Sequence, residues 1–418
     1  MLTVYFYSLL IVLLFTPFGL ILSNKNQKNL DYFSSQLLYG LIILSFVALF
    51  LNFFFLKNKT LNTLIIVLPI ILIFKKKIIY LNKQFLLFII LSGIIISLLI
   101  LESNVYRPDA GLYHLPYVKI LNDEKIIIGL ANFHFRYAHI SIIQYLSAIS
   151  NNLIFGDDGI VFAQALIASS VIINFSYKIY EYNKNREYNF HFFFLVSTII
   201  FIFYKMNRYS EYGNDAPSHF LFFFLISEIL NSKKRGIVNL FNNSLIILFI
   251  ILNKITLLLS ILLAAFSLKE INLKKLFFSK KFYFLGIFTT LWFLKNVLIS
   301  GCILYPVKSL CFEKFIWTDI QKVQVVSSEN EAWTKGWPDY TKIQNEKKAQ
   351  IVDKETYLKN FYWLPYWSKN HLKKILEIII PYIIFLIVFI IYLNHIKNSF
   401  NNLKIKKTYY FFIIFMFL

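Results

Sequence analysis

The chain has 418 residues, of which 58% are hydrophobic and only 16% are charged, and its formal net charge is +21. A mean hydropathy of +0.60 excludes an ordinary soluble domain and indicates an all-α membrane protein with several spanning helices. Because the basic residues fall mostly in short gaps between apolar runs, the charge indicates membrane topology and not a nucleic-acid partner. The sequence contains no glycine-rich phosphate loop, no CxxC pair and no HExxH motif.

Apolar runs that approach or cross a hydrocarbon core of about 30 Å predict about 11–12 transmembrane helices. The first run, 3–23, lacks a basic leader and a small-residue cleavage site, so we expect it to remain as a span. The last run, 408–418, is too short to cross, which predicts a partial helix or a truncated sequence. The other runs lie at 34–56, 61–74, 84–101, 159–177, 190–204, 217–231, 237–252, 255–268, 282–300 and 375–393.

The distribution of lysine and arginine predicts the orientation. With the N-terminus outside, the inner gaps hold 21 basic residues and the three short outer gaps hold 5, as the positive-inside bias requires. Two large loops then lie on the extracytoplasmic side. The predicted regions are N-terminal transmembrane helices 1–101, a first extracytoplasmic loop 102–158, transmembrane helices 159–300, a second extracytoplasmic loop 301–374 and C-terminal transmembrane helices 375–418.

The first loop carries two predicted interfacial helices. In "DAGLYHLPYVKILNDE", Leu112, Leu115, Val118 and Leu121 recur at steps of three, which predicts an amphipathic helix on the membrane surface. The segment "AHISIIQYLSAIS", 138–150, predicts a second. If it crossed the membrane, every later loop would change side and the charge bias would be lost.

Asp109 lies at the start of the first interfacial helix, and two roles are open for it. Its carboxylate suits the capping of free backbone N–H groups and complements the helix dipole. It also suits a general base that takes a proton from an acceptor hydroxyl. His114 follows five residues later, where it either shares that pocket or reaches water.

Further cations follow in "ANFHFRYAHI". His134, Arg136 and His139 suit the binding of anionic oxygens. Their irregular spacing disfavours zinc, and we assign no metal-binding residue, although a need for a divalent ion stays open.

A second acid-bearing segment, "KMNRYSEYGNDAPSH", lies at 205–219 on the same predicted side. Asp215 precedes Pro217, an arrangement that also marks an ordinary helix start. Arg208 is a candidate phosphate ligand, or else pairs with Glu211. Two acidic loops on one face together predict a substrate site better than either alone.

Lys295 lies inside an apolar run, in "LWFLKNVLISGCILYP". A lysine there is costly unless it extends to the membrane surface or meets an anion, such as the phosphate of a lipid-linked substrate. The only two cysteines, Cys302 and Cys311, follow on the predicted outer side, where an oxidising compartment permits a disulfide; the alternative is two buried thiols.

Five of the six tryptophans lie in the second loop. Trp363 and Trp367, just before a span, suit an interfacial aromatic belt. For Trp333 and Trp337, the belt and a sugar-stacking surface are both open.

These features resemble the GT-C superfamily of polytopic glycosyltransferases. The resemblance lies in the acidic residue and Tyr-bearing helix of "RPDAGLYHLPYVKIL", in "LKNVLISGCILYP" and in "WTKGWPD", which suggest an uncharacterised branch of envelope membrane proteins. The chain departs from the family in two respects. Three or four spans precede the loop, and a single Asp109 stands where the family has paired acids.

The resemblance implies a polyprenyl-phosphate-linked sugar donor and transfer to an envelope glycan or lipid at the bacterial inner membrane. Asp109 would be the base, and Lys295 with Arg136 or Arg208 would neutralise the departing phosphate. His114, Asp215, Trp333 and Trp337 complete the predicted substrate site. The membrane lipid is an expected partner, and no nucleotide cofactor is implied. A transporter or flippase of lipid-linked glycans, or a non-catalytic envelope assembly protein, are the alternatives.

Overall fold

A computed structural model describes residues 2–22, 28–75, 82–102, 109–205, 212–231, 237–265, 279–337 and 354–396. Within these stretches the chain is all-α and contains no strand, only two isolated bridges. The α-helices of the described residues are α1 (Leu2–Leu22), α2 (Leu30–Phe54), α3 (Lys59–Lys75), α4 (Lys83–Glu102), α5 (Leu115–Asp123), α6 (Leu130–Phe133), α7 (Ile142–Ser150), α8 (Phe162–Asn185), α9 (Phe190–Lys205), α10 (Asp215–Asn231), α11 (Ile237–Asn253), α12 (Lys280–Ser300), α13 (Ile320–Thr334), α14 (Lys354–Leu358), α15 (Leu364–Trp367) and α16 (Lys373–Ile396).

Five stretches of the described chain are long and apolar enough to cross a membrane. They indicate a membrane protein, and they are Leu2–Ile21, Leu30–Phe54, Lys83–Leu101, Asp157–Asn185 and Phe282–Ser300. The apolar run 255–268 is described only as far as Ala265. Its described part is a 3₁₀ helix of ten residues, Ile255–Ala264, which at about 2 Å per residue extends only about 20 Å.

The chain divides into two compact units, and unit 1 comprises residues 1–127, 139–295 and 403–418. In its described part, α2 packs against α1, α8 and α7. Gly19 of α1 lies so close to α2 that a Cβ there would stand 1.8 Å from the carbonyl oxygen of Gln36. Phe33 and Phe46 of α2 stack on the rings of Phe88 and Phe288. Small residues at the crossing and aromatic rings beside it therefore hold these helices together.

A buried ion cluster lies at the end of unit 1 where the predicted inner gaps lie. Lys178 of α8 is 6% exposed and pairs with Glu228 of α10 at 2.7 Å and with Asp31 at the start of α2 at 3.4 Å. Asn174 donates a hydrogen bond to Asp31 Oδ1 at 2.6 Å. These contacts join the ends of three helices, as the alternating topology predicts for gaps on one side.

Unit 2 comprises residues 128–138 and 296–402. Gly129 donates its backbone N–H to the Leu298 carbonyl at 2.9 Å, and the Trp317 indole donates to the Val297 carbonyl at 2.9 Å. Farther along, the ring of Tyr357 meets that of Trp337 edge-on at 4.8 Å. Part of the predicted first loop thus joins the second loop in one unit.

Candidate functional site

The helix that begins at Asp109 runs through a π-helical turn, Ala110–His114, into α5. The Asp109 side chain is exposed, and it makes no capping hydrogen bond within the described residues. Of the two roles that the sequence leaves open for this carboxylate, capping is therefore not observed. The acid faces solvent at the first turn of the helix.

The buried face of this helix fixes its position in unit 1. The predicted helix is present, but Leu112, which the sequence places on the apolar face, is 62% exposed. The His114 ring is buried, and its Nδ1 lies 2.9 Å from the Gln144 amide nitrogen on α7. The buried residues follow helical spacing: Ala110, His114, Tyr117, Val118, Leu121 and Asn122.

Helix α7 is the second helix predicted for this loop, and all nine of its residues are buried. The sequence predicts a helix on the membrane surface; in the structure protein surrounds α7, with α2, α5 and α8 among its neighbours. Because "IIQYLSAIS" is apolar or small nearly all round, every face can be covered. The Gln144 side chain accepts a hydrogen bond from the Ser141 N–H at 3.1 Å and so closes a capping box at the start of α7.

A hydrogen-bond network, which we call the loop junction, ties this loop to the other acid-bearing loop. It consists of Ser141, Asn214 and Asn253. Asn214 donates its amide N–H to Ser141 Oγ. Asn253, 3% exposed, donates to the Asn214 carbonyl at 2.6 Å and accepts from the Ile143 N–H at 3.2 Å. Three segments that the charge pattern assigns to one side thus meet at one end of unit 1.

Asp215 begins α10 beside the loop junction. It pairs with Lys254 at 2.7 Å, with 58% of the Asp215 side chain exposed. An exposed pair of this kind contributes little to stability. Its effect on the site is electrostatic: Lys254 offsets the charge of Asp215, whereas no ion pair is observed for Asp109 among the described residues.

A second group, the lysine–aromatic cluster, consists of Lys57, Tyr117, Tyr145, Trp292 and Lys295. The Lys57 Nζ lies 4.7 Å from the centre of the Tyr145 ring, and the Lys295 Nζ lies 3.4 Å from the Trp292 ring. The two rings approach edge-on at 6.5 Å. The Tyr117 and Tyr145 hydroxyls are 3.5 Å apart. Lys57 and Lys295 are 0% and 1% exposed, so the predicted extension of Lys295 to the membrane surface is not observed.

The turn that carries Lys57 is held by buried amides. Asn62 donates to the carbonyls of Ala148 and Asn151, at 2.9 and 2.8 Å, at the end of α7. It also lies 3.2 Å from the Lys57 carbonyl and 3.1 Å from the Asn122 side chain. These contacts fix the α2–α3 turn against α5 and α7, and so fix the direction of the Lys57 side chain.

Burial changes the proton affinity of the loop residues in this cluster. Desolvation lowers the pKa of Lys57 from 10.5 to about 7. Burial raises the pKa of Tyr117 and of Tyr145, so both phenols stay neutral. A bound anion would restore the charged form of Lys57.

The remaining candidates lie in unit 2. Arg136 is exposed and lies over the Phe135 ring at 5.4 Å, while burial and the Arg136 charge lower the pKa of neighbouring His134. Trp333 is 67% exposed, whereas Trp337 packs on Tyr357. The exposed Trp333 ring is thus available for stacking on a sugar, whereas part of the Trp337 ring is covered by Tyr357.

Cys302 and Cys311 are joined by a disulfide in the structure. Cys302 is fully buried, and Ile303 donates a backbone hydrogen bond to Leu310 within the closed loop. The neighbouring Gly301 has φ +76°, and a Cβ there would stand 1.8 Å from Thr318 Oγ1. Glycine is therefore required where the chain leaves α12 for this loop.

The candidate phosphate ligand Arg208 and its alternative partner Glu211 fall outside the described residues, as does Arg107, the first residue of "RPDAGLYHLPYVKIL". In the described part of the chain, no group of three or more His, Cys, Asp or Glu side chains is arranged to hold a metal ion.

A family model described as a domain of unknown function, DUF8201, matches residues 1–418. The chain belongs to the DUF8201 family. Neither a curated protein nor a solved structure matches this DUF8201 chain.

Sequence reasoning missed Lys57, Asn253 and Trp292. Lys57 counts only as a loop cation in "KNKT", and nothing in that segment indicates that its side chain turns inward. A signal did exist for Trp292: it stands three residues before Lys295 in a helix, a spacing that places both side chains on one face.

Proposed function

We propose that this protein is a polytopic glycosyltransferase of the bacterial inner membrane that uses a polyprenyl-phosphate-linked sugar donor on the extracytoplasmic side. The acceptor is an envelope glycan or lipid. The observation that carries the proposal is the loop junction together with its link through α7. Asn214 of the Asp215 loop donates to Ser141 at the start of α7, and Gln144 of α7 contacts His114 on the helix that presents Asp109. The exposed, uncapped Asp109 carboxylate then stands on a helix whose position these hydrogen bonds fix.

In the proposed reaction, Asp109 acts as a general base. Its carboxylate takes the proton from an acceptor hydroxyl as that oxygen forms a bond to the anomeric carbon of the sugar. The bond from the anomeric carbon to the donor phosphate breaks, and the lipid phosphate leaves with the electron pair. Asp215, already offset by Lys254, is assigned to substrate binding and not to proton transfer.

The membrane placement supports this chemistry. The 21-to-5 division of basic residues supports a topology in which both acidic loops lie on the outer side, with α8 and the shorter α9 each crossing between them. A donor with a polyprenyl tail and a membrane-anchored acceptor are already confined to the same plane. Confinement contributes to rate by lowering the entropic cost of bringing the two reactants together.

The test replaces Asp109 with Asn in the full-length protein and measures transfer of radiolabelled sugar from polyprenyl-phosphate donors to envelope acceptors in membrane vesicles. We expect a loss of roughly 10²-fold or more, with partial recovery in Asp109→Glu. The matched control is Asp123→Asn, which removes another exposed carboxylate of the same helix, paired with Lys119 at 3.2 Å, and should leave transfer unchanged.

Full transfer activity in Asp109→Asn would overturn the proposed base. If instead deletion of the protein leaves sugar transfer intact but stops movement of an intact lipid-linked glycan across the membrane, the protein is a flippase. Each result is read only where the variant accumulates in the membrane at the wild-type level.

A further inference from the structure

The lysine–aromatic cluster holds two ammonium groups that the proposed proton transfer does not use. Lys57 and Lys295 are buried, and neither Nζ has a hydrogen-bond acceptor among the described residues. No carboxylate of the described chain pairs with either of them. By contrast, Lys178, the third buried lysine in the described part of unit 1, pairs with two carboxylates. In their charged form, the two lysines therefore have only aromatic faces to offset them.

Aromatic faces do not offset that charge in full. The attraction between an ammonium and one ring face is smaller than the cost of removing the ammonium from water. Lys57 lies over the Tyr145 ring and Lys295 over the neighbouring Trp292 ring, so two such deficits occur at one ring pair. An anion with several oxygens would remove it by accepting hydrogen bonds from both lysines.

We propose that Lys57 and Lys295, with the Tyr145 and Trp292 rings beside them, form a binding site for the phosphate headgroup of a lipid. A phosphate or pyrophosphate carries enough charge and enough oxygens to engage both ammonium groups. The Tyr117 hydroxyl, 3.5 Å from that of Tyr145, adds a polar group at the same place.

The position of Lys295 on α12 argues for a lipid and not a free anion. Only 28% of the apolar part of α12, within Phe282–Ser300, is buried in the protein. Leu294, next to Lys295, is 45% exposed, and Ile287 and Tyr283 on the same helix are 56% and 58% exposed. An apolar tail thus has a surface along α12 that leads to the buried ammonium.

The inference deepens the proposed function, and it rests on that function only for the sugar carried by the lipid. In the reaction above, Lys57 and Lys295 would hold the donor phosphate while Asp109 serves the acceptor. The Lys57 turn is held against α5 and α7, the helices that also position the Asp109 turn.

The experiment measures the melting temperature of the purified full-length protein in detergent with polyprenyl phosphate, with polyprenol and with inorganic pyrophosphate. We expect polyprenyl phosphate to raise the melting temperature and polyprenol to have no effect. Lys57→Met and Lys295→Met should each abolish the shift. The double variant should lose no more than either single one, because both lysines bind one headgroup.

Folding of the variants is checked in the same assay. Without ligand, each Met variant should melt at or above the wild-type temperature, because an unpaired buried ammonium is replaced by an apolar chain of similar length. Lys119→Met is the control: Lys119 is an exposed lysine on α5, 80% exposed in its pair with Asp123, and should keep the full lipid-dependent shift. If a Met variant does not fold, the ³¹P NMR shift of polyprenyl phosphate on the wild-type protein provides the second measurement.

Several results would overturn the inference. Equal stabilisation by polyprenol would assign the effect to the tail, and an unchanged shift in either Met variant would remove that lysine from the site. Stabilisation by pyrophosphate alone, lost in the Met variants, would retain the anion site and overturn its lipid assignment. If the wild-type protein binds the lipid through these lysines but transfers no sugar, the lipid site stands and the proposed glycosyltransferase function is rejected.

Discussion

Asn253, at the end of α11, donates a hydrogen bond to the backbone carbonyl of Asn214 at 2.6 Å, and it does so while accepting from the N–H of Ile143. One buried amide thus joins three segments that are far apart in the chain. Its side chain uses both its acceptor and its donors, which is the condition for a buried polar group to be stabilising.

Asn253→Ala should destabilise the protein by about 2–4 kcal/mol, because it leaves the Asn214 carbonyl and the Ile143 N–H buried without their partner. The measurement is the free energy of unfolding from SDS titration of the full-length protein. Asn58→Ala is the control, since Asn58 is exposed and accepts one hydrogen bond, from the Leu61 N–H, at the start of α3. Its cost should stay near 1 kcal/mol, as for an N-cap residue. Equal costs for the two changes would contradict the role of the loop junction.

Gly19→Ala should destabilise the α1–α2 crossing, because the added methyl would meet the Gln36 carbonyl at 1.8 Å, and backbone must move. We expect a loss of roughly 1–3 kcal/mol, typical of overpacking. Gly286→Ala is matched to it: also a glycine within an apolar helix, but with no heavy atom within 4 Å of the added Cβ. In thermal unfolding, the free energy of unfolding of Gly286→Ala should equal that of the wild type or exceed it by up to about 1 kcal/mol. A destabilised Gly286→Ala with an unaffected Gly19→Ala would refute the crossing.

Lys57 should give the stability a dependence on pH. Its folded pKa of about 7 lies below the unfolded value of 10.5, so between these values the unfolded chain binds the proton more tightly. The free energy of unfolding therefore rises as pH increases from 7 to 10.5, by roughly 4–5 kcal/mol in total, and the burial cost is fully present below pH 7. Tyr117 and Tyr145, which lie beside Lys57, stay protonated because burial raises their pKa.

Lys57→Met should remove this part of the pH dependence in SDS titrations at pH 7, 8 and 9 without phosphate. The exposed lysine change Lys119→Met should keep the wild-type slope. An identical slope in wild type and Lys57→Met would mean that Lys57 is not desolvated.

The disulfide provides a test of sidedness. Cys302→Ser leaves Cys311 as the single thiol of the chain, and Cys311 is partly exposed. A membrane-impermeant maleimide should label this thiol from outside intact spheroplasts, because the proposed topology puts residues 301–374 outside. Labelling only in inverted vesicles would reverse the orientation and remove the proposed site from the extracytoplasmic face.

The helices α2 and α8 were predictable, because an apolar run of that length in a membrane protein satisfies its backbone hydrogen bonds as a helix. The helical form of 142–150 was predictable too, but its burial was not, because an apolar nine-residue helix suits a membrane surface and a protein interior equally. The 3₁₀ helix at Ile255–Ala264 shows the converse, since composition does not reveal a break in the backbone at Leu257.

Within the site, the sequence indicated the acids and Lys295 but not their partners. Charge counting placed Asp109 and Asp215 on one side, and the hydrogen bonds of Asn253 bring those two loops together. The inward direction of the Lys57 side chain depends on Asn62, which bonds to Asn122 and to the Ala148 carbonyl, 60 and 86 residues farther along the chain. No local sequence pattern reveals contacts over such distances.

Helix α7 has a consequence for how the proposed reactants are spaced. Two consecutive residues of α7 contact the two parts of the proposed site. Gln144 contacts His114 in the turn that follows Asp109, and the Tyr145 ring lies under the Lys57 ammonium. All residues of α7 are buried, so its neighbours hold it in place. In the proposed reaction, α7 therefore sets the distance between the sugar acceptor at Asp109 and the donor phosphate at Lys57. The spacing is then set by a peptide unit and not by the bilayer, so changes in membrane thickness or fluidity should leave the reaction geometry intact.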